Sequence, residues 1–382
     1  MLASDLNVER LPAKGGSMEP EDNIPAIETG VPPAAELTEA RAAEAMPLPL
    51  AQMDPPEPPE TRFLKWAFLS TKGLRAGWSI AAFLALFILF TVLAGGVLML
   101  VTHKGHFGGG GQNNQAAATL SPGSTIAQEG AMVFGLLCAT LVMGLIERRR
   151  ITAYYLGGPR PVCHFAWGLA GGFGTLSLLI GALYAGHWIT FGPVALSGIA
   201  IWQNALLWAI GFALVGLSEE GLFRCYFLFT LRRGFMESSL GFWLAALVSS
   251  LLFAGAHMGN TGESAFGVVC TGSIGFVFCM SVRYTGSLWW AIGYHAAWDW
   301  AQTFFYGTAD SGLVAKGHYL TTAAAGNPLW SGGSVGPEGS LLIAPVIAIT
   351  ALGLWLAWGR KGAPEQAPVL ELASASDHAA VD

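Results

Sequence analysis

Residues 79–101 read SIAAFLALFILFTVLAGGVLMLV, a run of 23 positions without one charged side chain. About 20 apolar residues in helical conformation cross the hydrocarbon core of a bilayer, so this stretch predicts a transmembrane helix. Comparable runs recur at 130–146, 163–185, 198–217, 240–257, 265–282, 287–307 and 341–358. The chain therefore reads as all-α, a polytopic membrane helix bundle of about eight transmembrane helices. Composition agrees: of 382 residues 53% are hydrophobic and 12% are charged, where a soluble domain carries about 25% charged residues.

Charge is unevenly spread. Residues 1–60 hold 12 of the 25 acids, 11 of the 20 prolines and three basic residues. Such a segment buries too little apolar surface to offset the entropy of ordering. Residues 1–62 are thus expected to form a disordered acidic Pro-rich tail, residues 63–361 the transmembrane domain, and residues 362–382 a second disordered tail. The glycine run at 107–111 follows no strand and opens no helix, so it reads as a flexible connector. No Lys/Arg stripe is present to neutralise phosphates, which argues against nucleic acid as a partner. The five cysteines form no CxxC pair and fall in or beside apolar segments, as membrane-buried small hydrophobes do.

Basic residues set the orientation. Lys65, Lys72, Arg75, Arg148–Arg150, Arg160, Arg232, Arg233, Arg283, Arg360 and Lys361 fall on one side of an eight-span bundle. Lys104 and Lys316 fall on the other. By the positive-inside rule both termini are cytoplasmic, in a protein of the cell membrane. Gly168, Gly171, Gly172 and Gly174 in the third span suit close helix packing in lipid.

Against this apolar background stand Glu219, Glu220, Arg224, His257, His295 and Asp299, with His164 as an outlier that reads as interfacial. Each of the four charged residues costs roughly 2.5–3.5 kcal/mol at a helix centre, on the order of 10 kcal/mol together. A chain with no use for them would not be expected to keep them. Glu220 and Arg224 are four apart and share a helix face, where they can pair. Glu219 points about 100° away, as the 3.6-residue period requires, and is left to face a cavity. A carboxylate without a partner in an apolar setting can take up a proton, as a general base must. His295 and Asp299 also share a face, where the carboxylate can orient the imidazole or both can ligate a cation.

Together Glu-Glu-x-x-x-Arg at 219–224, Phe-x-x-x-His at 253–257 and His-x-x-x-Asp at 295–299 resemble the three ordered motifs of the CPBP intramembrane protease family. That family includes type II CAAX prenyl endopeptidases and Abi-type proteins. The resemblance covers about residues 200–305, including Arg283-Tyr284-Thr285-Gly286-Ser287-Leu288 before the third motif. It departs at Asp299, where the family often has Asn. The resemblance implies hydrolysis of peptide bonds in membrane-associated, CAAX-type or other, proteins or peptides. Glu219 would activate a water, and Arg224 would orient and partly neutralise Glu219 and Glu220. His257 and His295 would bind one divalent metal such as zinc or, without metal, stabilise the oxyanion. Asp299 would complete that set, with Glu219 a further candidate ligand.

Other protease designs fit worse. No His is followed by Glu, which excludes HExxH, and the string Ser331-Gly332-Gly333-Ser334 lies in the 308–340 loop rather than at a helix start. A rival class stays open: an ion- or proton-coupled transporter, or a non-proteolytic immunity or scaffold protein, since buried Glu, His and Asp also build proton relays. One geometric demand follows from the span boundaries. Glu219 falls near the basic end of the fourth span, whereas His257 closes the fifth at the opposite end. To share a site, either the fourth span runs on to about Thr230, or residues 231–241 form a surface segment with a broken or tilted fifth span.

Overall fold

The computed structural model describes residues 59–70, 73–102, 119–236, 238–260 and 264–361. Residues 1–58, the 107–111 glycine run and the 362–382 tail lie outside the described residues. Helix α1 (Pro59–Phe68) begins inside the range read as tail. Its Pro and Glu in the first turn and Lys65 in the last complement the helix ends.

Each apolar run forms a helix. These are α2 (Ala76–Thr102), α3 (Pro122–Ile146), α4 (Pro161–Ala185), α5 (Ile199–Phe235), α6 (Ser239–His257) and α7 (Ala265–Thr285). All six are long and apolar enough to cross a membrane. The seventh, α8, is α-helical over Trp289–Asp299 and π-helical over Trp300–Phe305. The eighth, α9 (Ile343–Ala357), has 15 residues. The architecture is a polytopic helical bundle, with strand structure among the described residues limited to three two-stranded pairs.

Local chemistry sets the helix starts. Ser121, Ser238 and Ser264 cap α3, α6 and α7, their side chains accepting from the backbone N–H of Ser124, Gly241 and Gly267. Such caps satisfy amide groups that the helix leaves unpaired. The tight turn between α7 and α8 rests on Gly286, whose φ of 73° suits a residue without Cβ.

Two departures from the sequence reading decide where the site lies. First, α3 begins eight residues earlier than 130, so Glu129 is inside the helix. Second, the fourth span takes the longer of the two courses left open and passes Thr230: α5 runs for 37 residues, about 55 Å at 1.5 Å per residue. The extension passes through a π-helical segment, Gly221–Phe227. There the Phe223 carbonyl accepts from Leu228 N–H five residues on and also from Ser249 Oγ of α6, 2.7 Å away. That second bond fastens α6 antiparallel to α5 at the level of the motif.

At the basic end the bundle is packed solid. Phe83, Met143, Tyr154, Tyr226, Leu228 and Leu288 are fully buried in one cluster, with Phe83 and Tyr226 stacked 3.9 Å apart between ring centroids. Glu147, just after α3, accepts from both nitrogens of Arg233 at 3.2 Å each. It also accepts from the hydroxyls of Tyr154 at 3.0 Å and Tyr226 at 3.1 Å. Burial, followed by the Glu147 charge, pushes the Tyr154 phenol above its usual range.

Helices α4 and α8 approach closely through glycine. A Cβ on Gly172 would meet the Tyr294 carbonyl oxygen and one on Gly168 that of Trp290, whereas Gly174 faces open space. His164 sits in the first turn of α4. It is buried, with Nδ1 3.4 Å from Ser287 Oγ and its ring edge-on to Trp358, because the α7–α8 turn supplies a polar partner there. Residues 308–340 are ordered rather than a plain connector. Val314–Ala315 pairs with Thr119–Leu120, and Thr322–Ala324 with Ile189–Phe191. The described cysteines are all free, and Cys163 is exposed whereas Cys225, Cys270 and Cys279 are buried.

Candidate active site

The long α5 meets the geometric demand posed by the sequence. Glu219 lies 16 positions before Phe235, and His257 lies 18 positions after Ser239. Two nearly equal antiparallel arms therefore bring these residues to one level. Glu219 Oε2 is 3.7 Å from His257 Nε2 and 3.8 Å from His295 Nε2. Asp299 Oδ2 stands 3.5 Å from the same His295 nitrogen. All four residues line one cavity of about 480 Å³.

Behind them sits a fully buried support. Arg224 Nη1 donates to Glu220 Oε1 at 3.1 Å, with neither side chain exposed. The guanidinium carbon lies 4.0 Å from the centre of the Phe253 ring and 5.4 Å from that of Phe278. Gly275 makes room for it, since a Cβ there would come within 2.6 Å of Arg224 Nη2. The pairing read from the i, i+4 spacing is present, but Glu220 has a second partner. His295 Nδ1 donates to Glu220 Oε1 at 2.9 Å. Glu220, rather than Asp299, therefore orients the imidazole.

These contacts assign the ring atoms. His257 Nδ1 lies 2.8 Å from the Phe253 carbonyl oxygen, which can only accept, so that nitrogen carries the hydrogen. His295 Nδ1 carries the hydrogen given to Glu220. Both Nε2 atoms are left to face Glu219. Two π-helical segments begin directly after the functional residues: Gly221 follows Glu220, and Trp300 follows Asp299. Such widened turns recur at functional sites, where they re-aim side chains.

The cavity has further carboxylates that the motifs do not include. Glu129 of α3 accepts from Ser218 Oγ at 2.7 Å. Asp310 accepts from Thr303 Oγ1 at 3.1 Å, and Glu338 accepts from both the backbone and the hydroxyl of Ser311. All three line the same cavity. Burial pushes the Asp310 carboxyl above its ordinary range, with the Thr303 bond pulling the other way. A charged residue in an apolar helix was signal enough to find Glu129; it escaped because the predicted span began one residue later.

As the side chains stand, no group of three or more His, Cys, Asp or Glu among the described residues is disposed to hold a metal ion. The donors nearest to such an arrangement are the Nε2 atoms of His257 and His295 with Glu219 and Asp299, 3.5–3.8 Å from one another where they meet, but they do not close into a cage as they stand. No chemical step is therefore derived through a metal at His257, His295 and Asp299.

Residues 200–301 match the family model described as type II CAAX prenyl endopeptidase Rce1-like. The match covers α5 from its second residue, all of α6 and α7, and reaches just past Asp299, so all six motif residues fall within it. Comparison with curated proteins and with solved structures gives no match.

Proposed function

We propose that this chain is an intramembrane endopeptidase that hydrolyses a peptide bond in a membrane-associated protein or peptide, with Glu219 as the general base. The observation that carries the proposal is the convergence of the Glu219 carboxylate on two imidazole nitrogens at 3.7 and 3.8 Å inside one cavity. The family match over the same residues supports it.

In this mechanism a water held at Glu219 gives up a proton to the carboxylate, and its oxygen attacks the scissile carbonyl carbon. Negative charge builds on the carbonyl oxygen. Donors fixed in advance at that position supply much of an enzyme's rate enhancement. His295 suits this role. Its Nδ1–H is tied to Glu220, and three carboxylates, Glu220, Asp299 and Glu219, lie within 3.8 Å of its ring nitrogens, so the ring is held where it can meet that oxygen. His257 is held by a backbone carbonyl and has no buried acid behind it, so it is suited to position the water and relay the proton. The C–N bond then breaks, and the proton taken by Glu219 passes to the departing amine. Arg224 makes no contact with the cavity; it holds Glu220 in place, and so acts through His295.

The test is Glu219→Gln in the full-length protein. Proteomics of membrane fractions should show an uncleaved species accumulating with the variant. Its thermal stability should equal or exceed that of the parent, because Glu219 Oε2 has no hydrogen-bond partner to lose. Full cleavage by the variant would overturn the assignment, and ion flux in proteoliposomes without peptide hydrolysis would favour a transporter.

A further inference from the structure

We infer that the cavity receives a positively charged peptide segment from the membrane face opposite the basic loops, and that Glu129 and Asp310 are the carboxylates that select it. This rests on the protease reading and names the substrate class for the same site.

The cavity walls come from the opening turns of α3, α7 and α9, the closing turn of α6, the middle of α5 and α8, and residues 310, 311 and 338. The arginine-bearing segments 148–160, 232–233, 283–288 and 360–361 contribute no wall. On that basic side the way is filled. Phe253 and Phe278, which cover the buried Arg224, form the floor, and beneath lies the core around Tyr154, Tyr226, Leu228 and Leu288, each fully buried. The Glu147–Arg233 knot closes the end. The cavity thus belongs to one half of the bundle, the half remote from the basic loops, which the positive-inside rule places outside the cytoplasm.

Charge points the same way. Glu129, Glu219, Asp299, Asp310 and Glu338 line the cavity, with His257 and His295 as the basic side chains and no Lys or Arg among the described lining residues. Five carboxyl groups against two imidazoles make a wall rich in acceptors, which an incoming cation would satisfy and an incoming anion would not. A prenylated C-terminal motif ends in a free carboxylate three residues beyond its lipidated cysteine, and that terminus would meet like charge here. A lysine or arginine side chain would instead find acceptors on both sides of the reacting centre. Glu129 is fixed by Ser218, the residue before the proposed base. Asp310 is fixed by Thr303, four residues beyond Asp299. Each carboxylate has one oxygen tied to a hydroxyl, which orients it without neutralising it, and apolar side chains such as Phe212 and Ile347 line the same cavity.

The experiment uses the full-length protein in sealed proteoliposomes, sorted by whether a C-terminal tag is exposed or protected. Membrane-impermeant peptides differing only by Lys, Gln or Glu beside the same apolar residues are added outside, with a farnesylated Cys-terminal peptide as comparison. The expected result is cleavage only where the tag is protected, with kcat/KM for the Lys peptide at least about tenfold above the Glu peptide. Glu129→Gln and Asp310→Asn should each narrow the Lys-to-Glu ratio several-fold, and Glu129→Asp should restore part of it. A ratio within one variant is independent of how much protein folds. Cleavage confined to vesicles exposing the tag, equal rates for Lys and Glu peptides, or preference for the farnesylated peptide would overturn the inference. Binding of the fluorescent Lys peptide to the Glu219→Gln protein separates the two claims. Saturable binding that Glu129→Gln weakens supports the recognition of charge even if no peptide is ever cut, in which case the protease reading alone fails.

Discussion

Replacing Arg224 by alanine tests whether the buried support is as tightly coupled as its geometry requires. Arg224 and Glu220 are both fully buried, 3.1 Å apart, so removing the guanidinium strands a carboxylate away from water. Breaking a buried pair by deleting one partner costs about 3–5 kcal/mol. The structure argues for the lower end of that range. Only Nη1 of Arg224 bonds to Glu220, while Nε and Nη2 have no hydrogen-bond partner among the described residues, and His295 remains as a second partner for the carboxylate. The expected loss is therefore about 3 kcal/mol, or about 6–12 °C in Tm at about 2–4 °C per kcal/mol.

Two companions separate charge from stacking. Arg224→Lys keeps the charge but loses the planar group over Phe253, 4.0 Å from the ring centre; a desolvated cation–π contact is worth about 2 kcal/mol, so its loss should be about half as large. In Glu220→Gln/Arg224→Ala the stranded charge is gone as well, and the double variant should be no less stable than Arg224→Ala alone. Intrinsic fluorescence from the 14 tryptophans during heating in detergent reads all three. A Tm for Arg224→Ala within about 2 °C of the parent would refute the argument that the ion pair holds this part of the bundle.

Gly172→Ala should lose about 1–3 kcal/mol, typical of overpacking, because its Cβ would collide with the Tyr294 carbonyl, a backbone atom that no rotamer change can move. Gly174→Ala, with nothing nearby, is the control, and equal melting of the two variants would rule out the close α4–α8 approach. Asp310→Asn should raise thermal stability at neutral pH and lose that advantage towards acid pH. With its folded-state pKa raised by burial, the native protein binds more protons than the unfolded chain between the unfolded and folded values, so stability falls as pH rises through that window; a pH-independent difference would contradict this. Peptidase activity should survive treatment with 1,10-phenanthroline or EDTA, and loss of activity restored by zinc would place a metal at the imidazoles after all.

Much of this was legible in the sequence because membrane burial makes polar residues conspicuous. Glu219, Glu220, Arg224, His257, His295 and Asp299 stood out for their transfer cost alone, and helical spacing paired Glu220 with Arg224. What escaped has physical causes. Hydropathy left the lower end of the fourth span open between 217 and about 230 because three charges fall within seven residues there, yet two of those charges pair inside α5, and the helix continues. The π-helical turns after Glu220 and Asp299 depend on tertiary bonds such as Ser249 to Phe223, which no local pattern encodes. His164 is matched by Ser287, 123 positions away. Asp310 and Glu338 lie in a segment with neither helical nor alternating periodicity, and a hydrogen bond through Ser311 brings them together.

The division of labour between the adjacent glutamates follows from one angle and one length. Successive helical residues diverge by about 100°, so Glu219 and Glu220 cannot share an environment: one meets the cavity, the other the bundle interior. The interior carboxylate needs a cation that does not titrate, and arginine one turn on supplies it. With Arg224 in place, Glu220 Oε1 still accepts from His295, which carries order from α5 to α8. The α6 arm is just long enough for His257 to end opposite Glu219, where the helix terminates and the ring hydrogen is taken up by the Phe253 carbonyl. The part-buried carboxylate of Glu219 is thus the one that faces both imidazole Nε2 atoms, at 3.7 and 3.8 Å, while Glu220 is taken up by Arg224 and His295.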